Sequence, residues 1–264
     1  MTDEAPSIDT SVPHSARIWN YWLGGRDNYE VDRIAGDHYT SVFPGVVDVA
    51  RASRGFLLRS VRYLAAEVGI RQFLDIGTGL PAAENVHEAA QVVAPESRIV
   101  YVDNDALVVA HARALLTSNP PGVTDFVRAD LHDPEAILRG AARTLDLSRP
   151  VALVLSGVLG HVAAYEEARS IVDRLLAALP AGSHLTLNDG TDVFRREFSI
   201  AQRAYNATGA APYHLRSPAE ISGFFSGLRL VEPGVVSCPC WRPSAGEPDE
   251  AEQLDVFGGV GRKP

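Results

Sequence analysis

The sequence predicts an α/β protein built on a mostly parallel sheet with helices on both faces. From Gln72 onward, short apolar runs of strand length alternate with helical stretches, the order that crossover-connected parallel strands require. The first of these runs leaves through two glycines, Gly77 and Gly79, and the next two leave through acidic residues. The chain of 264 residues is 46% hydrophobic and 22% charged, ordinary globular usage that allows a sizeable core.

Residues 1–14 are polar, contain two prolines and show no apolar period, so a mobile tail is expected there. Ala16 to Tyr29 reads as a short aromatic helix stopped by Gly24 and Gly25. In a second helix, Leu57, Leu58, Val61, Leu64, Ala65 and Val68 share one stripe, ended by Gly69. Residues 15–69 therefore form a helical extension, and residues 70–264 form the core of the same single domain. Five strands are expected at Phe73-Leu-Asp-Ile, Ile99-Val-Tyr-Val, Phe126-Val-Arg-Ala, Val151-Ala-Leu-Val-Leu and Leu185-Thr-Leu. Two more follow near Leu228 to Val231 and Leu254 to Phe257, making seven. Between them Ser217, Pro218 and Glu220 spell a capping box, and Pro243 to Glu252 reads as a flexible loop.

Charge and cysteine usage narrow the partners. Lys+Arg 24 against Asp+Glu 33 gives −9, so phosphate backbones and anionic lipid are repelled and neither nucleic acid nor membrane is expected. The acidic N-terminus lacks the features of a signal peptide. The longest apolar run, Val151 to Ala164, is interrupted by Ser156 and His161 and is shorter than the roughly 20 residues that span a bilayer. Cys238 and Cys240, one proline apart, read as reduced thiols in a cytoplasmic protein. No His, Cys or carboxylate set has metal-ligand spacing.

In a parallel sheet the ligand sits at the carboxyl ends of the strands. Gly77 and Gly79 let backbone approach a ligand, and the following helix offers free N–H groups. Asp75 would repel a pyrophosphate and attract an ammonium or sulfonium, while Pro81 removes an N–H that phosphates would use. A cationic, phosphate-free nucleoside fits better than a dinucleotide. Asp103, leaving the second strand, suits ribose hydroxyls, and Asp105 suits the N-cap of the next helix. Asp130 and Leu131 could meet an adenine amino group and ring. Arg54 and Arg51 extend the apolar stripe of the second helix, so both are expected to point inward, toward a ligand carboxylate or a core carboxylate such as Asp75. His161 and Asp189 lie just past strands four and five, as a base or as hydrogen-bonded structural residues. His111 reads as an exposed helix residue, and His132 as a neighbour of the adenine or a turn cap.

These motifs carry a resemblance. Asp75-Ile-Gly-Thr-Gly-Leu-Pro, Tyr101-Val-Asp-Asn-Asp, Ala129-Asp-Leu and the strand from Val151 resemble motifs one to four of class I S-adenosylmethionine-dependent methyltransferases. Ala16-Arg-Ile-Trp-Asn-Tyr-Trp-Leu-Gly-Gly-Arg-Asp-Asn-Tyr and Phe257-Gly-Gly-Val-Gly-Arg-Lys are similar to an actinobacterial S-adenosyl methyltransferase family, formerly a domain of unknown function. The resemblance implies a Rossmann-like, seven-stranded sheet in the order 3-2-1-4-5-7-6 with strand seven antiparallel. It also implies S-adenosylmethionine as cofactor, a small-molecule methyl acceptor, and cofactor contacts from Asp75, Gly77, Thr78, Gly79, Leu80, Asp103, Asn104, Asp130, Leu131 and Ser156. Arg54, Tyr21, Gly25 and Arg26 join that set, with Trp19 to Tyr29 expected as a lid that excludes water. The family usually has a Leu-His-Phe-type segment after strand four and Ser-His after strand five. This chain has Leu159-Gly160-His161 and Asn188-Asp189 there. Two other functions fit the residues: cofactor binding without turnover, and a nicotinamide-dependent oxidoreductase resting on Gly77-x-Gly79-x-x-Ala82.

Overall fold

A computed structural model describes residues 9–243 and 252–264. Residues 1–8 of the expected tail and 244–251 of the expected loop lie outside the described residues. Five parallel strands form the sheet: β1 (Gln72–Ile76), β2 (Arg98–Asp103), β3 (Val123–Arg128), β4 (Ala152–Ser156) and β5 (His184–Gly190). An antiparallel β8 (Val256–Arg262) continues it beside β5 and pairs with the short β6 (Arg229–Leu230) and β7 (Val236–Ser237). The order is β3-β2-β1-β4-β5-β8-β6, with β7 pairing β8 off that path. This is the expected order, with the two-residue β7 added and the final strand running over Val256–Arg262 instead of 254–257. The glycine-rich run Gly258-Gly259-Val260-Gly261 carries little apolar alternation, so the sequence pattern does not mark the length of this strand.

Every residue of β1 and β5 is buried, as a sheet covered on both faces requires. Phe73 packs into one apolar layer with Phe56, Leu64, Ile99 and Val154, while its neighbour Leu74 packs into the other with Val100, Ile137 and Leu153. The first layer lies beneath α3 (Val46–Tyr63), which ends in a π-helical turn over Leu64–Val68 and Gly69, and beneath the short α4 (Val86–Gln91). The second lies beneath α6 (Pro134–Ala141), α7 (Tyr165–Ala177) and α9 (Pro218–Gly223).

Ahead of α3 stand α1 (Ser15–Trp22) and α2 (Glu30–Val42). The aromatic helix ends at Trp22, where Gly24 and Gly25 turn the chain into a loop as their position in the sequence predicts. Helix α2 was not foreseen; its start is fixed by Asp32, whose Oδ2 accepts from the Tyr29 amide at 2.9 Å. Aromatic side chains tie α2 to α8 (Arg196–Asn206): Phe43 stacks on Phe198 at 4.7 Å, and Tyr39 meets Phe198 and Tyr205 edge-on at 6.3 Å. Arg51 corrects the sequence expectation. It faces solvent from α3 and sits 3.6 Å from Asp48, one turn earlier, because the buried stripe of that helix passes through Ala50, Ser53 and Leu57.

Candidate functional site

The register aligns the ends of the parallel strands into one rim: Ile76 beside Val102 and Leu155, Asp103 beside Arg128, and Ser156 beside Asn188. Above it a cavity of about 670 Å³ is enclosed by α1, α2, α3 and α8, within the size range of small-molecule sites.

The turn after β1 forms the floor. Gly77 and Gly79 have φ of +75° and +65°, a left-handed course that a side chain would resist. A Cβ on Gly77 would strike Val158, and one on Gly79 would enter open space, where a ligand can lie against bare backbone. The Gly79 amide donates to Oδ2 of Asp103 at 3.1 Å, and the Asp105 amide donates to its Oδ1 at 3.0 Å. Those bonds aim a carboxylate whose pKa burial pushes up. Asp105 takes the helix-capping role: its Oδ1 accepts from Leu107 at 2.6 Å and Val108 at 3.3 Å at the start of α5 (Ala106–Leu115). Thr78 turns its hydroxyl to the Asp75 carbonyl at 3.2 Å, and Leu80 and Leu131 supply apolar wall.

Asp75 is closed to bulk water, and burial lifts its pKa to about 7 against the pull of Arg54. Among the described residues no side chain or amide donates to its carboxylate. Arg54 enters the same cavity from α3. Its Nη2 donates to the Glu84 carbonyl and, at 3.3 Å, to Oδ1 of Asn85, while its buried Nε has no partner among the described residues. An unsatisfied donor and an undonated carboxylate side by side fit an amino-acid zwitterion, whose carboxylate and ammonium would answer both. The residues at the floor thus fit S-adenosylmethionine.

Over β3, Asp130 accepts from Asn104 Nδ2 at 3.3 Å, from the His132 amide at 2.9 Å and from His132 Nδ1 at 2.7 Å, contacts that hold its pKa down. Asp130 thus caps the turn by accepting from the His132 amide, and His132 lines the cavity. Ser156 donates to Oδ1 of Asn188 at 2.7 Å, and Asn188 donates on to Ser53 at 2.7 Å, a buried relay from β4 through β5 to α3.

The N-terminal segment is brought in only partly. Trp19, Trp22 and Gly25 line the cavity. Tyr21 does not: its hydroxyl turns outward to Asp37 at 2.7 Å. Arg26 is exposed and lies off the cavity. Neither joins the expected cofactor set in the cavity lining: the Tyr21 ring lies against Gly36 of α2, and Arg26 follows the left-handed turn at Gly24. Asp189 is buried beneath the wall, where Oδ1 accepts from Tyr213 and Oδ2 from Arg216 at 3.1 Å; it does not line the cavity. Burial raises its pKa to about 6. His161 does line it. His111 is half-buried on α5 with Nδ1 4.0 Å from Asp27, closer to the N-terminal segment than its helix position suggested.

Sequence reasoning missed three contributors. His14 places Nε2 3.0 Å from Oδ2 of Asp105, tying α1 to α5. Asn20 organises the Gly25–Asn28 loop by accepting from the Asp27 amide and Asn28 Nδ2, each at 3.0 Å; a Cβ on Gly25 would collide with its amide. Tyr213 comes from a loop with no apolar period to mark it. Among the described residues, no group of three His, Cys, Asp or Glu is placed to hold a metal ion, and no helix is long and apolar enough to cross a membrane.

A DUF574 family protein from Streptomyces avermitilis MA-4680 is similar in crystal structure, with TM-score 0.93 and 46% identity over 98% of this chain and 100% of its own. A candidate methyltransferase from Thermobifida fusca YX is similar at TM-score 0.89 and 38% identity, over 100% of this chain and 99% of its own. Human N-acetylserotonin methyltransferase, solved with S-adenosylmethionine, shares the fold alone: TM-score 0.51, 14% identity, 93% of this chain and 62% of its own. No curated protein sequence matches the chain significantly. The sequence profile described as S-adenosyl methyltransferase matches residues 1–264, so the chain belongs to the S-adenosyl methyltransferase family, with S-adenosylmethionine as cofactor.

Proposed function

We propose that this protein transfers a methyl group from S-adenosylmethionine to a small-molecule acceptor seated in the same cavity. The observation that carries the reading is the pairing of an undonated, buried Asp75 carboxylate with the orphaned Nε of Arg54, beside the backbone-aimed carboxylate of Asp103. When bound, the cofactor supplies an electrophilic methyl on a sulfonium. Asp75 receives the ammonium, Arg54 the carboxylate and Asp103 the ribose diol, while Asp130 and Leu131 border the adenine. Trp19 and Trp22 cover the cavity from α1 and exclude water. With alignment and desolvation supplied by these side chains, much of the acceleration comes from proximity. Buried Cys238 agrees with a reduced, cytoplasmic setting.

Calorimetric titration of the purified protein with S-adenosylmethionine, S-adenosylhomocysteine and NAD tests this reading. Binding of the first two and not of NAD is expected. Saturable NAD binding without S-adenosylhomocysteine binding would return the protein to nicotinamide chemistry.

A further inference from the structure

Charge is divided unevenly along the rim. Among the described residues that line the cavity, the acids and the one arginine are Asp27, Arg54, Asp75, Asp103 and Asp130. These belong to the ends of β1 to β3, to α3 facing Asp75, and to the loop beside His111 of α5. Beyond β4, the lining carries no Asp, Glu, Lys or Arg. Trp22, Tyr39, Val49, Phe198 and Gln202 wall that end from α1, α2, α3 and α8. Trp22 meets Tyr39 edge-on at 5.1 Å, continuing the aromatic contacts between α2 and α8. Gln202 is already engaged, accepting from Tyr39 and donating to Asn206, each at 2.8 Å. A charged group seated there would lose its water with no counter-ion.

One construction closes this end. The Tyr213 ring fills a niche that exists because residue 160 is glycine; a Cβ there would collide with the ring. Its hydroxyl donates to Asp189 and accepts from the Gly190 amide at 3.2 Å, and Arg216 balances the Asp189 charge at 3.1 Å. Edge-on to Tyr213, at 5.3 Å and 84°, lies the imidazole of His161. Its Nδ1 is 2.9 Å from the Pro212 carbonyl oxygen. A carbonyl only accepts, so Nδ1 carries the proton and Nε2 the lone pair. Among the described residues Nε2 has no partner. Burial lowers the pKa of this ring, the Pro212 bond opposes it, and His14 and His214 lower it further, a balance that favours the neutral imidazole.

We propose that the methyl acceptor is an uncharged planar ring compound bearing a phenol-type hydroxyl, held by the aromatic wall with its hydroxyl directed to Nε2 of His161. This inference rests on the methyl-transfer reading above. As the acceptor oxygen bonds to the methyl carbon, the carbon–sulfur bond breaks and its electron pair stays on sulfur. The hydroxyl proton passes to Nε2 and then to solvent, restoring the neutral imidazole. A carboxylate or an aliphatic ammonium fits the same wall poorly, because each brings a charge that the wall does not answer.

The experiment uses the full chain saturated with S-adenosylhomocysteine and three probes of one shape: 1-naphthol, 1-naphthoate and 1-naphthylmethylammonium. Quenching of tryptophan fluorescence reads binding, and 1-naphthol is expected to bind at least about tenfold tighter than either ion. In labelled protein, 1-naphthol should move the Nε2 resonance of His161 and leave that of His111 in place. His161→Asn keeps a donor for Pro212 and removes the base; it should hold 1-naphthol within about twofold while slowing formation of its methyl ether by about a hundredfold or more. Equal or tighter binding of either ion, an unmoved His161 resonance, or undiminished methylation by the variant overturns the proposal while S-adenosylhomocysteine binding stands. Failure of S-adenosylhomocysteine to bind overturns both readings together.

Discussion

Arg17 and Asp32 form an ion pair, Nε to Oδ2 at 2.9 Å, with both side chains closed to solvent. Asp32 also accepts from the amides of His14 and Tyr29, each at 2.9 Å, so one carboxylate gathers the approach to α1, the end of the following loop and the start of α2. The aromatic segment is therefore fastened at both ends and does not hang free above the sheet.

Arg17→Met removes the cation and leaves Asp32 buried without it, a change expected to cost about 3–5 kcal/mol. Chemical denaturation read by circular dichroism measures it. A loss below about 1 kcal/mol would mean that the two amides alone satisfy Asp32.

The sheet was legible because buried parallel strands read as apolar runs, and the rim was legible because strand ends carry their ligands one or two residues past the last apolar position. Asp103 and Asp105 show how far spacing reaches: two acids two residues apart have different environments, one between backbone amides under the cavity and one at a helix start. Spacing failed for Arg51, since three residues turn a helix by less than a full turn and six carried it to the solvent face. A motif names residues without their direction, and in the fold the Tyr21 hydroxyl turns to Asp37 while Arg26 lies off the cavity. Gly160 and Asp189 looked like two separate departures. Only in three dimensions do they meet at Tyr213, one by leaving room for its ring and the other by accepting its hydroxyl proton.

Asp103→Ala should weaken S-adenosylmethionine binding by about 2 kcal/mol, since two ribose hydroxyls lose a charge-assisted acceptor in a desolvated crevice. Asp105→Ala should instead lower stability by about 1 kcal/mol through the missing cap, and Asp105→Asn should keep the cap while losing the attraction to His14. The His14 bond holds the Asp105 pKa down, to about 2. Its contribution is therefore complete above about pH 4 and lost as the pH falls toward 2. Calorimetry and thermal denaturation run on the same variants separate the two roles. An affinity loss at Asp105 without destabilisation would exchange them.

Arg54→Met should weaken S-adenosylhomocysteine at least about tenfold, near 1.4 kcal/mol, and leave 5′-methylthioadenosine, which has no carboxylate, within about twofold. The comparison matters because Arg54 also braces the turn through the Glu84 carbonyl and Asn85. A purely bracing role would weaken both ligands alike. Circular dichroism of the variant checks that the turn survives.

Asp75 makes cofactor affinity depend on pH, with a sign fixed by its burial. In the empty protein its pKa is raised to about 7, so the folded state holds a proton that the unfolded chain has released from about pH 4 upward. Stability of the empty protein therefore falls as pH rises through that window and levels off above 7. The cofactor's ammonium favours the ionised carboxylate, so binding expels the proton, and affinity should climb by up to tenfold per unit between about pH 5 and 7, then flatten. Asp75→Asn removes the titrating group: the slope should vanish, and the empty variant should be more stable than the native protein at pH 8 because no buried charge has to form. Titration calorimetry with S-adenosylhomocysteine in two buffers of different ionisation enthalpy reads the proton directly, with up to one released by the native protein near pH 6 and none by the variant. Affinity that is flat from pH 5 to 8 in the native protein, or that slopes equally in Asp75→Asn, would take this carboxylate out of contact with the ammonium.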